Sequence, residues 1–265
     1  MRRYVFAIPI ACLALLIALN SARTDAQGDQ WGAIKGRIVW GGEKIPPREE
    51  IDVAKEPACL QGNPTADPVK NTILDEKILI DPKTKGLKNV FVYILVEDGK
   101  KIAIHPKLQN FPKELVVDQP CCMFWPRALA IREGQVFVVK NSSSIKHNIR
   151  WSPDAKSGGT GGSIVIDGED QIEIKDLKAQ RLPMPLECNI HPWMKGNLAV
   201  FNHPYFAITD ETGNFEIKDA PAGAHKLMIW HEEYGYRLLA KGNKGEDVTV
   251  KAGGVTDLKD LPMGK

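Results

Sequence analysis

Short β-rich runs recur along nearly the whole chain, and they constrain its fold more than any other feature. Clear cases are "AIKGRIVW" (33–40), "NVFVYILV" (89–96), "VFVVKN" (136–141), "NLAVF" (197–201) and "HKLMIW" (225–230). Gly, Asn, Asp and Pro separate the runs, as in "GG" at 41 and "TGN" at 212. Beyond the N-terminal segment no stretch keeps the 3.6-residue apolar period of an amphipathic helix. The pattern therefore predicts an all-β chain of sandwich type.

Two stretches between these runs have the composition of loops. Residues 41–82 combine prolines with mixed charges, and residues 152–163 ("SPDAKSGGTGGS") are rich in Gly and Ser. We expect the first to be mostly loop and the second to be mobile.

The N-terminus has the layout of a secretory signal peptide. Arg2 and Arg3 precede an apolar run from Tyr4 to Leu19, and a short polar segment with small residues follows up to Ala26. Residues 1–26 are therefore predicted to be a cleaved signal peptide, which makes the protein exported, for example periplasmic. An uncleaved membrane anchor is the alternative, but the run is short for a span. No stable membrane insertion is expected after cleavage.

Charge and length narrow the classes of partner and architecture. The 265 residues include 35 Lys plus Arg and 33 Asp plus Glu, for a formal net charge of +2. This balance gives no reason to expect nucleic acid as a partner. The length allows one large or two small domains.

The segment "ECNIHPWMKG" (187–196) places three potential metal ligands at a regular spacing. They are Cys188, His191 and Met194, a thiol, an imidazole and a thioether. Soft and borderline metals prefer these side chains. The alternative is an ordinary turn with a buried cysteine, a surface histidine and a core methionine.

A histidine upstream supplies the ligand that this loop lacks. "REGQVFVVKNSSSIKHNIRW" (132–151), which contains His147 and Asn148, and "PLECNIHPWMKGNLAVF" (185–201) resemble a cupredoxin. The resemblance implies a Greek-key β-sandwich that holds one type 1 copper ion. In it, His147, Cys188 and His191 are the equatorial ligands and Met194 is the weak axial ligand.

The same resemblance assigns roles to the neighbours of these ligands. Asn148 is expected to hold the Cys188 loop in place as an outer-shell partner. His191 is expected to show its ring edge at the surface, where Pro192 and Trp193 form part of an apolar docking patch for redox proteins. The implied function is single-electron transfer, with no enzymatic turnover at the metal.

Other metal centres fit the sequence less well. A closed zinc site has little use for Met194. A binuclear copper centre needs a second cysteine four residues from Cys188, where Met184 and Pro192 stand. A copper oxidase or reductase needs an open metal position, which Met194 and Trp193 disfavour. The remaining histidines show no ligand pattern and are predicted to be solvated or core residues: His105, His203, His225 and His231.

A second resemblance covers the two ends of the mature chain. "GAIKGRIVWGG" (32–42), "LKNVFVYIL" (87–95), "AITDETGNFEIKDAPAGAHKLMIWHEEYGY" (207–236) and "VTVKAGG" (248–254) resemble the carboxypeptidase regulatory-like module, a transthyretin-like β-sandwich. We therefore predict a discontinuous module of residues 31–98 and 205–261, with a cupredoxin domain, 99–204, inserted in it. The combination resembles bacterial exported plastocyanin-like proteins.

The mature chain has three cysteines besides Cys188. An oxidising compartment permits a disulfide, and a bridge between the neighbours Cys121 and Cys122 would strain the backbone, so Cys59 pairs with one of them. "DQPCCMFWPRALAI" (118–131) resembles an Asp-Gln-x-x-Cys-x-Phe-x-Pro segment of the plastocyanin-like group, which selects Cys122 as the partner of Cys59. A second thiolate metal site is the alternative, and Arg127, which stands where that group often has histidine, argues against it.

A different class of function stays open at this point. The chain could be a cell-envelope binding or structural module whose metal site is vestigial or only stabilises the fold. Changing Cys188 to Ser separates the two hypotheses. An electron carrier would lose its colour and redox activity with the fold intact, whereas a structural module would lose only stability.

Overall fold

The computed structural model describes residues 30–97, 99–238 and 244–264. The predicted signal peptide, 1–26, lies outside these residues. Nearly all of the regular secondary structure in these residues is strand, so the all-β prediction is confirmed. The strands are β1 (Trp31–Trp40), β2 (Glu50–Asp52), β3 (Thr72–Leu74), β4 (Phe91–Ile94), β5 (Glu114–Asp118), β6 (Ala128–Arg132), β7 (Val136–Asn141), β8 (His147–Trp151), β9 (Gly162–Ile166), β10 (Asp170–Ile174), β11 (Met184–Glu187), β12 (Lys195–Phe201), β13 (Phe206–Ile208), β14 (Asn214–Pro221), β15 (Gly223–His231), β16 (Gly235–Tyr236), β17 (Glu246–Val250) and β18 (Val255–Met263).

Helical structure is confined to short 3-10 turns in the part of the chain that is described. They span Pro57–Leu60, Pro106–Leu108 and Ala155–Ser157. None of the described helices is long and apolar enough to cross a membrane.

Strands β5 to β12 form two facing sheets, which we call the middle sandwich. One sheet has the order β10-β7-β5 and the other β6-β12-β11-β8-β9. Consecutive strands often belong to different sheets. Within the sheets, β5 lies parallel to β7, and β6 lies parallel to β12. Buried apolar residues such as Phe137, Ile149 and Leu198 fill the space between the sheets. Cys188 and Met194 belong to the same core.

The remaining long strands form a second pair of sheets, the outer sandwich. Their orders are β14-β1-β18 and β13-β4-β15-β16, with β17 also paired to β15. β1 lies parallel to β18, from Ala33 opposite Val255 to Trp40 opposite Met263, so the first and last described strands share one sheet. The chain leaves the outer sandwich after β4, forms the middle sandwich with β5 to β12, and returns to the outer sandwich at β13. The predicted domain limits stay predictions, and so does the transthyretin-like nature of the outer sandwich.

The turn "DETGN" before β14 shows why glycine stands at 213. Gly213 has a φ of 82°, and an added Cβ would lie 2.1 Å from the Ile38 carbonyl oxygen. Asp210 holds the turn, since its carboxylate accepts hydrogen bonds from the backbone N–H of Thr212 and of Asn214. This turn therefore brings β14 against β1 at a distance that only glycine permits.

The two sandwiches share an interface with an apolar part and a charged part. The apolar part is a cluster that includes Phe91, Phe201 and Met228. In the charged part, the guanidinium of Arg127 donates to both carboxylate oxygens of Glu232, at 2.6 and 2.9 Å. This pair joins the start of β6 to the turn after β15.

The segment Glu50–Leu74 lies within the stretch that was predicted to be mostly loop. Its two strands, β2 and β3, pair with Glu50 opposite Leu74, and the 3-10 turn Pro57–Leu60 lies between them. Its own small core contains Val53, Cys59 and Ile73, together with Cys122 of the middle sandwich. The segment is therefore packed against the middle sandwich.

Candidate metal centre

Strand pairing brings together residues that are far apart in the sequence. His147 is the first residue of β8, and Cys188 follows the last residue of β11. β8 and β11 are antiparallel neighbours, with Glu187 opposite Arg150. The loop after Cys188 closes on itself, because Met194 N–H donates to the His191 carbonyl at 2.9 Å and Cys188 N–H donates to the Met194 carbonyl at 3.1 Å. This closure turns His191 back toward His147.

The side-chain donor atoms of His147, Cys188 and His191 converge at one end of the middle sandwich. The two Nδ1 atoms are 2.9 Å apart, and the Cys188 Sγ lies 3.8 Å from the His191 Nδ1. All three donor atoms lie within 4.8 Å of one another, and all three residues are buried. A first-row metal forms bonds of about 2.0–2.3 Å to imidazole nitrogen and thiolate sulfur. The three groups fit such an ion in both chemistry and spacing.

Met194 lies at the end of the same loop. It is 1% exposed and packs in the core that also contains Cys188. Its backbone is fixed by the two loop hydrogen bonds that involve Cys188 and His191. The axial ligand role of Met194 stays a prediction.

Asn148 connects the strand that carries His147 to the loop that carries Cys188. Its backbone N–H donates to the Cys188 Sγ at 3.5 Å. Its side-chain oxygen accepts from the Asn189 N–H at 2.5 Å, and its amide nitrogen donates to the Ser163 hydroxyl at 3.1 Å. Asn148 thus fixes the loop on one side of the sulfur, and Ser163 on β9 fixes Asn148.

Replacing Asn148 by Ala is expected to loosen this loop. The variant removes the acceptor of the Asn189 N–H, and because Asn189 is exposed, the lost hydrogen bond costs about 0.5–1.5 kcal/mol. Loss of an outer-shell partner of a metal ligand typically lowers affinity about 10- to 100-fold. Competition with a copper chelator measures this change, and Ser163→Ala is the milder matched variant because it removes only the outer hydrogen bond. An unchanged affinity in Asn148→Ala would contradict the role of Asn148.

The two histidines of the centre are held in the neutral form that binds metals. Burial, with a smaller effect of the neighbouring His191, lowers the pKa of His147 to about 4. Burial also lowers the pKa of His191, and Glu56 opposes that shift. Neutral imidazole is the form with a free lone pair for coordination.

The expectation that His191 shows its ring edge at the surface is wrong. His191 is only 1% exposed. The Trp193 ring lies beside it, with 5.5 Å between the ring centroids, and the sulfurs of Cys59 and Cys122 lie within 4.8 Å of a ring nitrogen of His191. Pro192 is exposed and Trp193 is half-buried. The segment Glu50–Leu74, which the sequence does not connect to the loop, covers the histidine.

Cys59 and Cys122 form a disulfide, with 5.2 Å between their Cα atoms. This bond consumes both thiolates that a second metal site would have needed. Cys121 is a free, buried thiol whose pKa burial raises to about 11. It therefore stays protonated at neutral pH and is a poor nucleophile.

The other four histidines lie away from the centre. Among the described residues, the groups of three or more His, Cys, Asp or Glu with donor atoms close enough for a metal include no histidine but His147 and His191. His203 and His231 are buried, and His105 and His225 are half-buried. None of the four therefore belongs to a candidate ligand group.

His203 is expected to make folding sensitive to acid. Burial lowers its pKa to about 4, and its Nδ1 accepts from the Tyr205 N–H at 3.1 Å. As the pH falls, His203 takes up a proton in the unfolded chain near the ordinary histidine pKa of 6.5, before it does so in the folded protein. Stability is therefore present above pH 6.5 and falls as the pH drops toward 4, by up to about 3 kcal/mol.

Urea unfolding of the metal-free protein at pH 7 and pH 4.5 measures this effect. The loss of stability between the two pH values should be smaller in His203→Gln than in the half-buried control His225→Gln. Equal losses in the two variants would contradict the assignment to His203.

Comparison with known proteins gives structural likenesses over part of the chain. No family model and no curated protein matches the chain. A reduced tryptophan-to-tyrosine mutant of amicyanin is 18% identical, with a TM-score of 0.30 over 35% of this chain and 86% of that one. A purple cupredoxin from Nitrosopumilus maritimus is 20% identical, with a TM-score of 0.27 over 32% of this chain and 97% of its own. TM-scores of this size do not establish a shared fold for the whole chain.

Proposed function

We propose that this chain is an exported mononuclear blue copper protein that transfers single electrons between redox partners. His147, Cys188 and His191 would hold the copper as equatorial ligands, and Met194 would be the weak axial ligand. The convergence of one ring nitrogen each from His147 and His191 and the Cys188 sulfur within 4.8 Å, with all three residues buried, is the observation that carries this proposal.

The donor set favours copper over zinc in this proposal. Two imidazoles, one thiolate and a distant thioether are the ligands of blue copper sites. The bound ion would supply a one-electron redox couple. A structural zinc ion would leave Met194 without a role, although the loop keeps it in the same core as Cys188.

The protein's own contribution is a rigid and dry site. Cys188 and His147 lie at the ends of paired strands, and the loop between Cys188 and Met194 is closed by backbone hydrogen bonds. Ligands held in this way move little when the charge of the ion changes. A small rearrangement favours fast electron exchange at a protein surface.

Copper loading of the mature protein tests the proposal. We expect one copper per chain and an intense thiolate-to-copper absorption near about 600 nm, with the small hyperfine splitting of a blue site in electron paramagnetic resonance. His147→Ala should lose both signals, and the control His225→Gln should keep them. Copper that binds without the absorption band, or with a large hyperfine splitting, would contradict a blue site.

Export and partner docking belong to the same proposal. An exported location rests on the N-terminal sequence and on the Cys59–Cys122 disulfide, which an oxidising compartment permits. Partners would dock close to the ligand loop, where Pro192 is exposed and Ile190 is 44% exposed.

A further inference from the structure

The disulfide lies against one particular metal ligand. Cys59 and Cys122 are 0% and 1% exposed, and each sulfur lies within 4.8 Å of a ring nitrogen of His191. Cys122 belongs to the middle sandwich, whereas Cys59 belongs to the segment Glu50–Leu74, which we call the cover. The cross-link therefore ties the cover to the sandwich next to His191.

The cover is kept in place by a small apolar core. This core has four buried members, which are Val53, Ile73 and the two bonded cysteines. Five partly buried apolar side chains pack against it: Ile51, Leu60, Ala66, Ile145 and Trp193. The bridge, by contrast, joins residues 63 positions apart, and a cross-link over such a long loop restricts the open states strongly. Without the bridge, the small core of the cover and its polar contacts would have to oppose local opening.

The aromatic rings beside His191 come from its own loop and from β8. The Trp193 and His147 rings lie 5.5 and 4.7 Å from the His191 ring, centroid to centroid. The Trp193 Nε1 is buried without a hydrogen-bond partner, so Trp193 offers no polar anchor for the loop. His147 is held by the sheet and does not need the cover for its position.

We propose that the Cys59–Cys122 cross-link is a lock that keeps the cover closed over His191, positions its ring and excludes solvent from that side of the centre. This inference deepens the proposed function, and its copper-dependent part rests on that function. It assigns to Cys59 and Cys122 a positioning role that acts on His191 and not on His147. The protection of His191 by the closed cover can be measured in the metal-free protein, so this part of the proposal does not depend on copper.

Histidine labelling with diethyl pyrocarbonate tests the lock in the metal-free mature protein. Trypsin releases His191 as the one histidine of peptide 182–195, and His147 in peptide 147–150, so mass spectrometry follows each ring separately. The variant Cys59→Ser/Cys121→Ser/Cys122→Ser removes the lock. Cys121→Ser alone is the matched control because it keeps the bridge. Lys70→Gln is the second control, since it breaks the exposed ion pairs of Lys70 with Glu50 and Asp67 in the cover and leaves the bridge intact.

In the control proteins His191 should react far more slowly than N-acetylhistidine. In the unlocked variant its rate should rise at least about tenfold, which corresponds to about 1.4 kcal/mol less opening free energy. His147 should stay protected. Equal protection of His191 with and without the bridge would overturn the proposal, and so would a parallel rise at His147, which indicates general loosening.

A measurement on the unsubstituted protein covers the case in which the unlocked variant does not fold. With a dithiol reductant in urea below the unfolding transition, His191 should lose protection while circular dichroism stays native. Without the reductant it should lose protection only in the global transition. If His191 lost protection at the same urea concentrations with and without the reductant, the proposed lock would be overturned.

Copper transfer reports on the loaded protein. Transfer of Cu(I) to bicinchoninate should be at least about tenfold faster from the unlocked variant than from Cys121→Ser, because the closed cover slows ligand exchange. Equal transfer rates would overturn the proposal. A protein that binds no copper would refute the proposed function, while the labelling result would still decide whether the cover is locked.

Discussion

Cys188→Ser is expected to abolish the blue absorption and the one-electron redox activity while the protein stays folded. The hydroxyl of serine does not ionise at neutral pH, so the variant lacks the thiolate from which the charge-transfer band arises. Cys188 is 2% exposed and lies in the core of the middle sandwich, so the buried hydroxyl costs about 1–3 kcal/mol of stability. The effect on colour is thus complete, and the effect on folding is moderate.

Absorption of the copper-loaded variant and urea unfolding of the metal-free variant measure the two effects. Cys121→Ser makes the same substitution at the other free, buried cysteine and should keep the colour. Colour that survives in Cys188→Ser would exclude Cys188 as the ligand. A wild-type protein that shows no redox activity, and a variant that loses only stability, would instead support a structural module.

Glu232→Leu is expected to be among the most destabilising single changes at the interface of the two sandwiches. Arg127 is 8% exposed and donates two hydrogen bonds to the Glu232 carboxylate. The nearest remaining carboxylate oxygen, on Asp75, is 3.9 Å from the guanidinium. Removing Glu232 leaves a buried charge poorly compensated, which costs about 3–5 kcal/mol. Urea unfolding measures the loss.

The double variant Arg127→Met/Glu232→Leu distinguishes the charge effect from a simple loss of packing. An apolar pair of similar size often replaces a buried ion pair at little cost, so the double variant should be more stable than Glu232→Leu alone. If the double variant lost as much free energy of unfolding as Arg127→Met and Glu232→Leu lose together, the two residues would not depend on each other. The blue absorption should persist in both variants, because neither residue belongs to the metal centre.

The sequence predicts the strands well where local patterns are strong. Apolar β-rich runs such as those of β7 and β15 form strands whose central residues are buried on both faces. The pattern was less informative in residues 41–82, where prolines and charges indicated loop. There β2 and β3 are only three residues long and depend on packing around Cys59 and Ile73, which no local pattern reveals.

The candidate ligands are similarly local in origin. Cys188, His191 and Met194 lie within seven residues, and His147 with Asn148 marks the start of the strand that faces them. Chemistry and spacing are enough to select these residues from the sequence. The resemblance of "DQPCCMFWPRALAI" also implied the pairing of Cys59 with Cys122.

What the sequence by itself determined is an all-β chain with a specific set of soft and borderline metal donors, and export stays a prediction from its N-terminal residues. Only the tertiary structure decided that His191 is buried. Its exposure depends on the cover, which is more than a hundred positions away in the chain and contacts the histidine through a disulfide. The burial of a side chain depends on such long-range packing. A local sequence pattern does not show which distant segment lies over a given ring.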